Sequence, residues 1–179
     1  MTATSASTPP AEANGAPSTR RAAAQEAFRD VMATAPSPVA VVTAMDGTRP
    51  HGTTVSAFAS LSLVPPMVLV SLDERSELLA IIRRTGRFGL NVLGADQTAL
   101  ATTFARSGSD KFDGVDWTPS AGLPRLPHSP GWVACEVVDF VTAGDHTLLL
   151  AHVVASEVGE GSPLTYRQRS FGIHTPLPT

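Results

Sequence analysis

The sequence predicts a mainly β fold, a closed antiparallel barrel decorated by two or three short helices. Three observations point there. About seven apolar runs of strand length follow one another, hairpin signals rather than regular β-α-β alternation join them, and no strand–GxGxxG–helix unit is present. The last point disfavours a doubly wound parallel sheet. A length of 179 residues suits one domain, since domains typically run to about 100–150 residues.

Residues 1–21 are Ala, Ser, Thr and Pro with few large apolar groups. Such a composition buries too little surface to offset its ordering entropy, so the expectation is a disordered tail, with the domain over 22–179. A charged start and a continuous apolar stretch are both missing, so the segment is no secretory signal. From Ala24 to Ala35 the spacing of Phe28, Val31, Met32 and Ala35 predicts one helix face, which Pro36 terminates.

Val39–Ala44 reads as a buried strand, and Asp46-Gly47 is a hairpin turn. His51 to Phe58 alternates loosely and reads as the partner strand. Pro65-Pro66 breaks the chain before a strand over Met67–Leu72. Ser76 is a good N-cap for a short helix with Leu78, Leu79 and Ile82 on one face and Gly86 at its end. Arg87–Leu93 is the next strand, and Asp96–Ala105 a second short helix with Ala101 and Phe104 turned inward. The Gly- and Pro-rich stretch 107–130 reads as loop. Trp132–Val141, His146–Val158 and Arg169–His174 are the closing strands, the first two joined across Ala143-Gly144-Asp145.

Charged residues are 16% of the chain, against roughly 25% in an average soluble protein. The net charge of −3 is too small for a nucleic-acid or anionic-lipid footprint. No apolar run reaches the ~18 residues of a membrane span. Cys135 is the single cysteine, which excludes an internal disulfide and a multi-cysteine zinc site, and no two histidines have the i,i+4 spacing of a helical metal site. These features predict a soluble, cytoplasmic protein that binds neither nucleic acid nor membrane. The shortage of charge also suggests that a subunit or ligand covers part of the surface.

Four stretches could carry chemistry. His51-Gly52-Thr53-Thr54-Val55-Ser56-Ala57-Phe58-Ala59-Ser60 mixes small side chains with hydroxyls, as a flat polar ligand requires; an ordinary strand facing solvent would read the same way. Asn91 sits in the apolar run Phe88–Leu93, where its amide needs partners from a ligand or from the protein. Lys111, the only lysine among thirteen Lys and Arg residues, could meet a phosphate or stand in solvent. His146, in Gly144-Asp145-His146, could hydrogen-bond a ligand or move a proton at a strand mouth. No GxSxG elbow accompanies it, so a hydrolase is disfavoured.

In order, these segments resemble the short-chain flavin reductase family, the reductase partners of two-component flavin-dependent monooxygenases. The matching pieces are Pro38–Thr43, His51–Phe58, Ser62–Val70 with its double proline, Phe88–Leu93, Asp110–Val115, Gly144–Thr147 and Pro163–Tyr166, spanning roughly residues 25 to 173. The resemblance implies an FMN-binding split barrel, a homodimer, and hydride transfer from NADH (less so NADPH) to FAD or FMN. Reduced flavin would then pass to a separate monooxygenase. Carried over by position, Thr54, Val55 and Ser56 would line the flavin ring, with Ser37 and Pro38 close to it. Ser60, Ser71 and Asn91 would hold the ribityl and phosphate portions, and Thr53, Leu72, Val92, Lys111 and Tyr166 would complete the binding set. His146 would face the nicotinamide as the catalytic residue. A non-catalytic flavin-binding or electron-storage module on the same barrel is the alternative.

Overall fold

A computed structural model describes residues 17–178. The chain divides into two units at Ala35/Pro36. The first contains helix α1 (Pro17–Thr34), which starts earlier than the expected Ala24. The run Arg20–Glu26 is rich in Ala, Arg, Gln and Glu, all strong helix formers, and Pro is tolerated at a first helical position. The expected tail therefore overlaps this helix from Pro17 onward, and residues 1–16 lie outside the described residues. Phe28, Val31 and Met32 are exposed.

The second unit holds twelve strands and two helices. In chain order these are β1 (Ser37–Pro38), β2 (Ala40–Asp46), β3 (Arg49–Val55), β4 (Phe58–Leu63), β5 (Pro66–Asp73), α2 (Glu77–Thr85), β6 (Arg87–Val92) and α3 (Thr98–Ala105). Then follow β7 (Thr118–Ser120), β8 (Leu123–Arg125), β9 (Gly131–Ala143), β10 (His146–Val158), β11 (Leu164–Arg167) and β12 (Ser170–Ile173). Seven of them form one antiparallel sheet in the order β3-β2-β6-β9-β10-β5-β4. The small sheets β1-β11-β12 and β7-β8 flank it.

The expected closure into a barrel is not seen, because no ladder joins the edge strands β3 and β4. Yet these edges are consecutive in sequence, linked only by Ser56-Ala57. Six inter-strand gaps of about 4.8 Å would place the edges of a flat sheet about 29 Å apart. Three Cα–Cα steps reach at most about 11 Å. The sheet must therefore curl until its two edges meet at that corner. Register irregularities at Leu150/Ala151, Val153/Ala155 and Ser60/Ser62 add the bend and twist this needs. The stretch expected as one strand, His51–Phe58, is thus two strands on opposite edges.

Burial on both faces explains the continuous apolar run of β2. Ala40, Val42 and Ala44 pack into a core with Val70, Leu72, Phe88, Leu90 and Leu149, while Val41 enters a second cluster with Val39, Leu93, Ala101, Phe104 and Leu164. Helix α2 drives Leu78, Leu79, Ile81 and Ile82 into the first core. Its ends form as the sequence implies: the Ser76 hydroxyl accepts from Leu79 N, and Gly86 takes the left-handed conformation. The loop expected over 107–130 contains the β7–β8 hairpin, turning at Ala121 and Gly122, both at positive φ. Strand β11, absent from the sequence reading, is tied in by Val39 N to Leu164 O (3.1 Å) and Leu164 N to Leu93 O (2.8 Å).

Candidate active site

The corner where the sheet's edges meet is a cleft of about 280 Å³, lined by Thr53–Ala57, Ser71–Asp73, Ser76 and His146. Two larger clefts share its wall. One, of about 570 Å³, shares Thr53, Asp73 and Ser76 and runs along His51, Arg75 and Arg106 to Lys111 and Phe112. The other, of about 430 Å³, shares Thr53–Ser56 and is closed by Ala101, Tyr166, Arg169 and Phe171.

Helix α3 lies against β3 and fixes its side chains. The Thr54 hydroxyl donates to Ala101 O (2.7 Å) and that of Thr53 to Phe104 O (3.5 Å). Lys111 Nζ donates to Gly52 O (3.2 Å) and Phe104 O (3.1 Å), pinning the loop after α3 onto the same strand. Burial pushes the Lys111 ammonium below its ordinary value, with Glu77 acting in the opposite sense. Gly52 is required at this crossing, since a Cβ there would meet the Phe104 ring at 2.8 Å. Because the Gly52 carbonyl points away from β2, strand alternation turns the N–H and C=O of Thr54 to the same open side. Ser71 N donates to Ala57 O (2.9 Å) across the corner. Among the described residues, no protein hydrogen bond engages the hydroxyls of Ser56 and Ser71.

His146 opens β10 directly opposite Asp73. Its Nδ1 lies 2.7 Å from Asp145 Oδ1. The hydrogen bond from His146 holds the Asp145 carboxyl below its usual range, and an ionised carboxylate can only accept. The proton therefore sits on Nδ1, leaving Nε2 for a ligand. Asp73 is gripped by Arg75 through Nε (3.0 Å), Nη2 (2.8 Å) and the backbone N–H (2.8 Å). That grip holds Asp73 well below the usual carboxylate range. Glu74 is lowered too, first by the Thr147 hydroxyl and then by Arg83.

The structure thus brings together Thr53, Thr54, Val55, Ser56, Ser71, Leu72 and His146, with Tyr166 and Lys111 on the adjoining clefts. Ser37 and Pro38 line a separate cleft beside β12. Ser60, Asn91 and Val92 line none of these. Ser60 is exposed on β4. Asn91 is fully buried with its amide spent on the protein: Nδ2 donates to Val41 O (3.2 Å) and Thr43 Oγ1 (3.3 Å), and Oδ1 accepts from Leu126 N (2.8 Å). Sequence reasoning missed Asp73, Arg75 and Arg106. The Asp-x-Arg spacing at a strand end was a usable signal for the first two. Among the described residues, no cluster of His, Cys, Asp and Glu could hold a metal. No helix among them is long and apolar enough to cross a membrane.

Residues 32–174 match the flavin reductase like domain. The chain is 41% identical over 149 residues to the reductase component of a 4-nitrophenol 4-monooxygenase/4-nitrocatechol 2-monooxygenase from Rhodococcus opacus, covering 83% of this chain and 80% of that protein. It is 38% identical over 165 residues to an NADH:riboflavin 5'-phosphate oxidoreductase from Streptomyces pristinaespiralis, covering 89% and 93%. Among solved structures, the styrene monooxygenase flavin reductase of Pseudomonas putida superposes with a TM-score of 0.78 at 35% identity, over 85% of this chain and 99% of that one. The chain belongs to the flavin reductase-like family.

Proposed function

We propose that this chain is an NADH:flavin oxidoreductase that reduces FAD or FMN and supplies the reduced flavin to a separate monooxygenase component. The carrying observation is the corner cleft, where an edge strand, two hydroxyls that none of the described residues hydrogen-bonds and an oriented histidine converge. The named activities of the relatives support the same reading.

The residues present fit a flavin. A flat heteroaromatic ring needs small side chains for close approach and polar groups for its heteroatoms. Ala57 supplies the first, and the Thr54 backbone with the Ser56 and Ser71 hydroxyls supplies the second. A flavin held there would supply the hydride-accepting chemistry of the reaction. The chain's own part is to position. α3 holds Thr54 through Ala101, the Ala57 carbonyl holds the Ser71 N–H, and Asp145 orients the His146 ring so that Nε2 can bind the nicotinamide carboxamide. Tyr166 and Leu72 wall the ring's surroundings, and Lys111 braces β3 beside them. The curled sheet acts as a split barrel. The working unit is a homodimer, for which the exposed Val138, Val141 and Val154 on β9 and β10 supply an apolar face. The cytoplasm is its place of work, where reduced nicotinamide is available.

The test follows the loss of NADH absorbance with FMN, FAD or no flavin. Rapid oxidation only with flavin is expected. Flavin binding without NADH oxidation would instead make the chain a non-catalytic flavin module, and no oxidation in any combination would end the reductase reading.

A further inference from the structure

Strand β3 is an edge of the seven-stranded sheet, and an unpaired edge offers its backbone groups to any passing chain. Backbone groups alternate sides along a strand, so those facing away from β2 belong to Pro50, Gly52 and Thr54. Pro50 has no N–H to offer. The Gly52 carbonyl accepts from Lys111 Nζ (3.2 Å). Among the described residues, no hydrogen bond engages the backbone N–H and C=O of Thr54, which lines two of the clefts. Proline and lysine are the residues that blunt a sheet edge elsewhere, and here they stop short of a single peptide.

The same ammonium donates to Phe104 O (3.1 Å), in the last turn of α3, where helix carbonyls lack intrahelical donors. Phe104 O also receives the Thr53 hydroxyl (3.5 Å). Lys111 thus ties a strand-edge carbonyl to a helix-end carbonyl. The fit around this tie is close. A Cβ on Gly52 would meet the Phe104 ring at 2.8 Å and the Phe112 ring at 3.3 Å, and the two rings pack edge to face at 4.9 Å. Twelve of the thirteen Lys and Arg residues are Arg. The lone lysine stands where one compact ammonium must reach carbonyls on two elements, a task its three rotatable donors suit better than a planar fork.

We propose that Lys111 is a positioning residue for the ring of the cofactor: it closes the β3 edge down to the Thr54 peptide and fixes the direction in which that peptide points. The proposal rests on the flavin reading above, and it departs from a role for Lys111 at the cofactor's phosphate. Its effect falls on the isoalloxazine ring, the part common to all flavins.

The experiment titrates riboflavin, FMN and FAD against the full chain and its Lys111→Met and Lys111→Arg variants, well below their melting temperatures. Lys111→Met removes the donors and keeps most of the bulk. Losing hydrogen bonds from a charged donor implies weakening of roughly tenfold, equal for the three flavins within about twofold. Lys111→Arg keeps the charge and should recover part of the loss for all three alike. Weaker FMN and FAD binding with riboflavin untouched would make Lys111 a phosphate ligand and overturn the proposal. Unchanged affinities in a folded variant of lower melting temperature would make it a structural brace only, which also overturns it. If Lys111→Met does not fold, Lys111→Arg decides by the same pattern: an equal loss for the three flavins supports the proposal, and any other result sinks it. A wild type that binds FMN and FAD but not riboflavin refutes it too, while the flavin reading stands. A wild type that binds none of the three overturns both.

Discussion

Asp73 and His146 face each other across the β5–β10 pairing, and each is held by its own neighbour. Arg75 clamps the carboxylate and Asp145 orients the imidazole. The wall of the corner cleft is thus two adjacent charge-assisted pairs, one on each strand. Such an arrangement fixes side-chain directions before any ligand arrives, and positioning is where a hydride-transfer site gains rate.

His146→Ala should therefore lower kcat/KM for NADH by roughly 10–100-fold, the order expected for losing one positioning group. The Kd for flavin should stay within about twofold, since Thr54, Ser56 and Ser71 are untouched. Asp145→Asn should produce a smaller loss of the same kind. Steady-state kinetics with titration of flavin fluorescence checks both, and unchanged kinetics would remove His146 from the reaction.

Asp73, Glu74 and Asp145 all have folded-state pKa values below their ordinary ones. A depressed carboxylate contributes stability that is fully present above its unfolded value of about 4 and is lost as pH falls toward the folded one. The melting temperature should hold steady near neutrality and decline below about pH 4. Arg75→Ala removes the main cause of the Asp73 shift and should flatten that acid limb. Melting curves recorded across the acid range provide the measurement, and a limb of undiminished steepness in the variant would count against the Arg75 grip.

Asn91→Ala should act on stability rather than on binding. It strips a partner from Leu126 N–H, Val41 O and Thr43 Oγ1 in a fully buried setting, a cost of about 2–4 kcal/mol. Urea unfolding should show the loss, while flavin affinity of the folded variant stays unchanged. A variant of normal stability with poor flavin binding would put Asn91 into the site.

Cys135 is fully buried on β9, and burial pushes its thiol up to about 12. A thiol with so little thiolate is inert. Disulfide reagents at about pH 8 should leave the native protein unlabelled and titrate one thiol after denaturation. Rapid native labelling would show that β9 opens locally.

The strands and helix caps were legible because their causes are local. Ser76 and Gly86 bound α2 where cap chemistry places them, and the β2–β3 turn falls at Gly47-Thr48, one residue on from the expected Asp46-Gly47. The corner at Ser56-Ala57 was not legible, because neither residue is a breaker and the break arises from curling seven strands. The amide of Asn91 could be read as needing partners but not which ones, and the resemblance alone set it on the ligand: its partners Val41 and Leu126 lie far off in the chain. The hairpin at Ala121-Gly122 was hidden by the prolines around it. For the site, the hydroxyl-rich strand and the strand-mouth histidine could be read from residue types. The two carbonyls that Lys111 caps could not, since they belong to different elements and meet only in the fold.

The Ser56-Ala57 link stitches the first strand of the sheet to the last, and no ladder reinforces the stitch. Loosening of the curled sheet should therefore concentrate at this point, where no ladder spans the two edges. A molecule seated over the link grips both margins at once. Binding over the link should then stabilise the whole sheet by linkage. It can be read from the amount bound, or from the slowing of amide exchange in strands such as β6 and β9, far around the wall from the ligand.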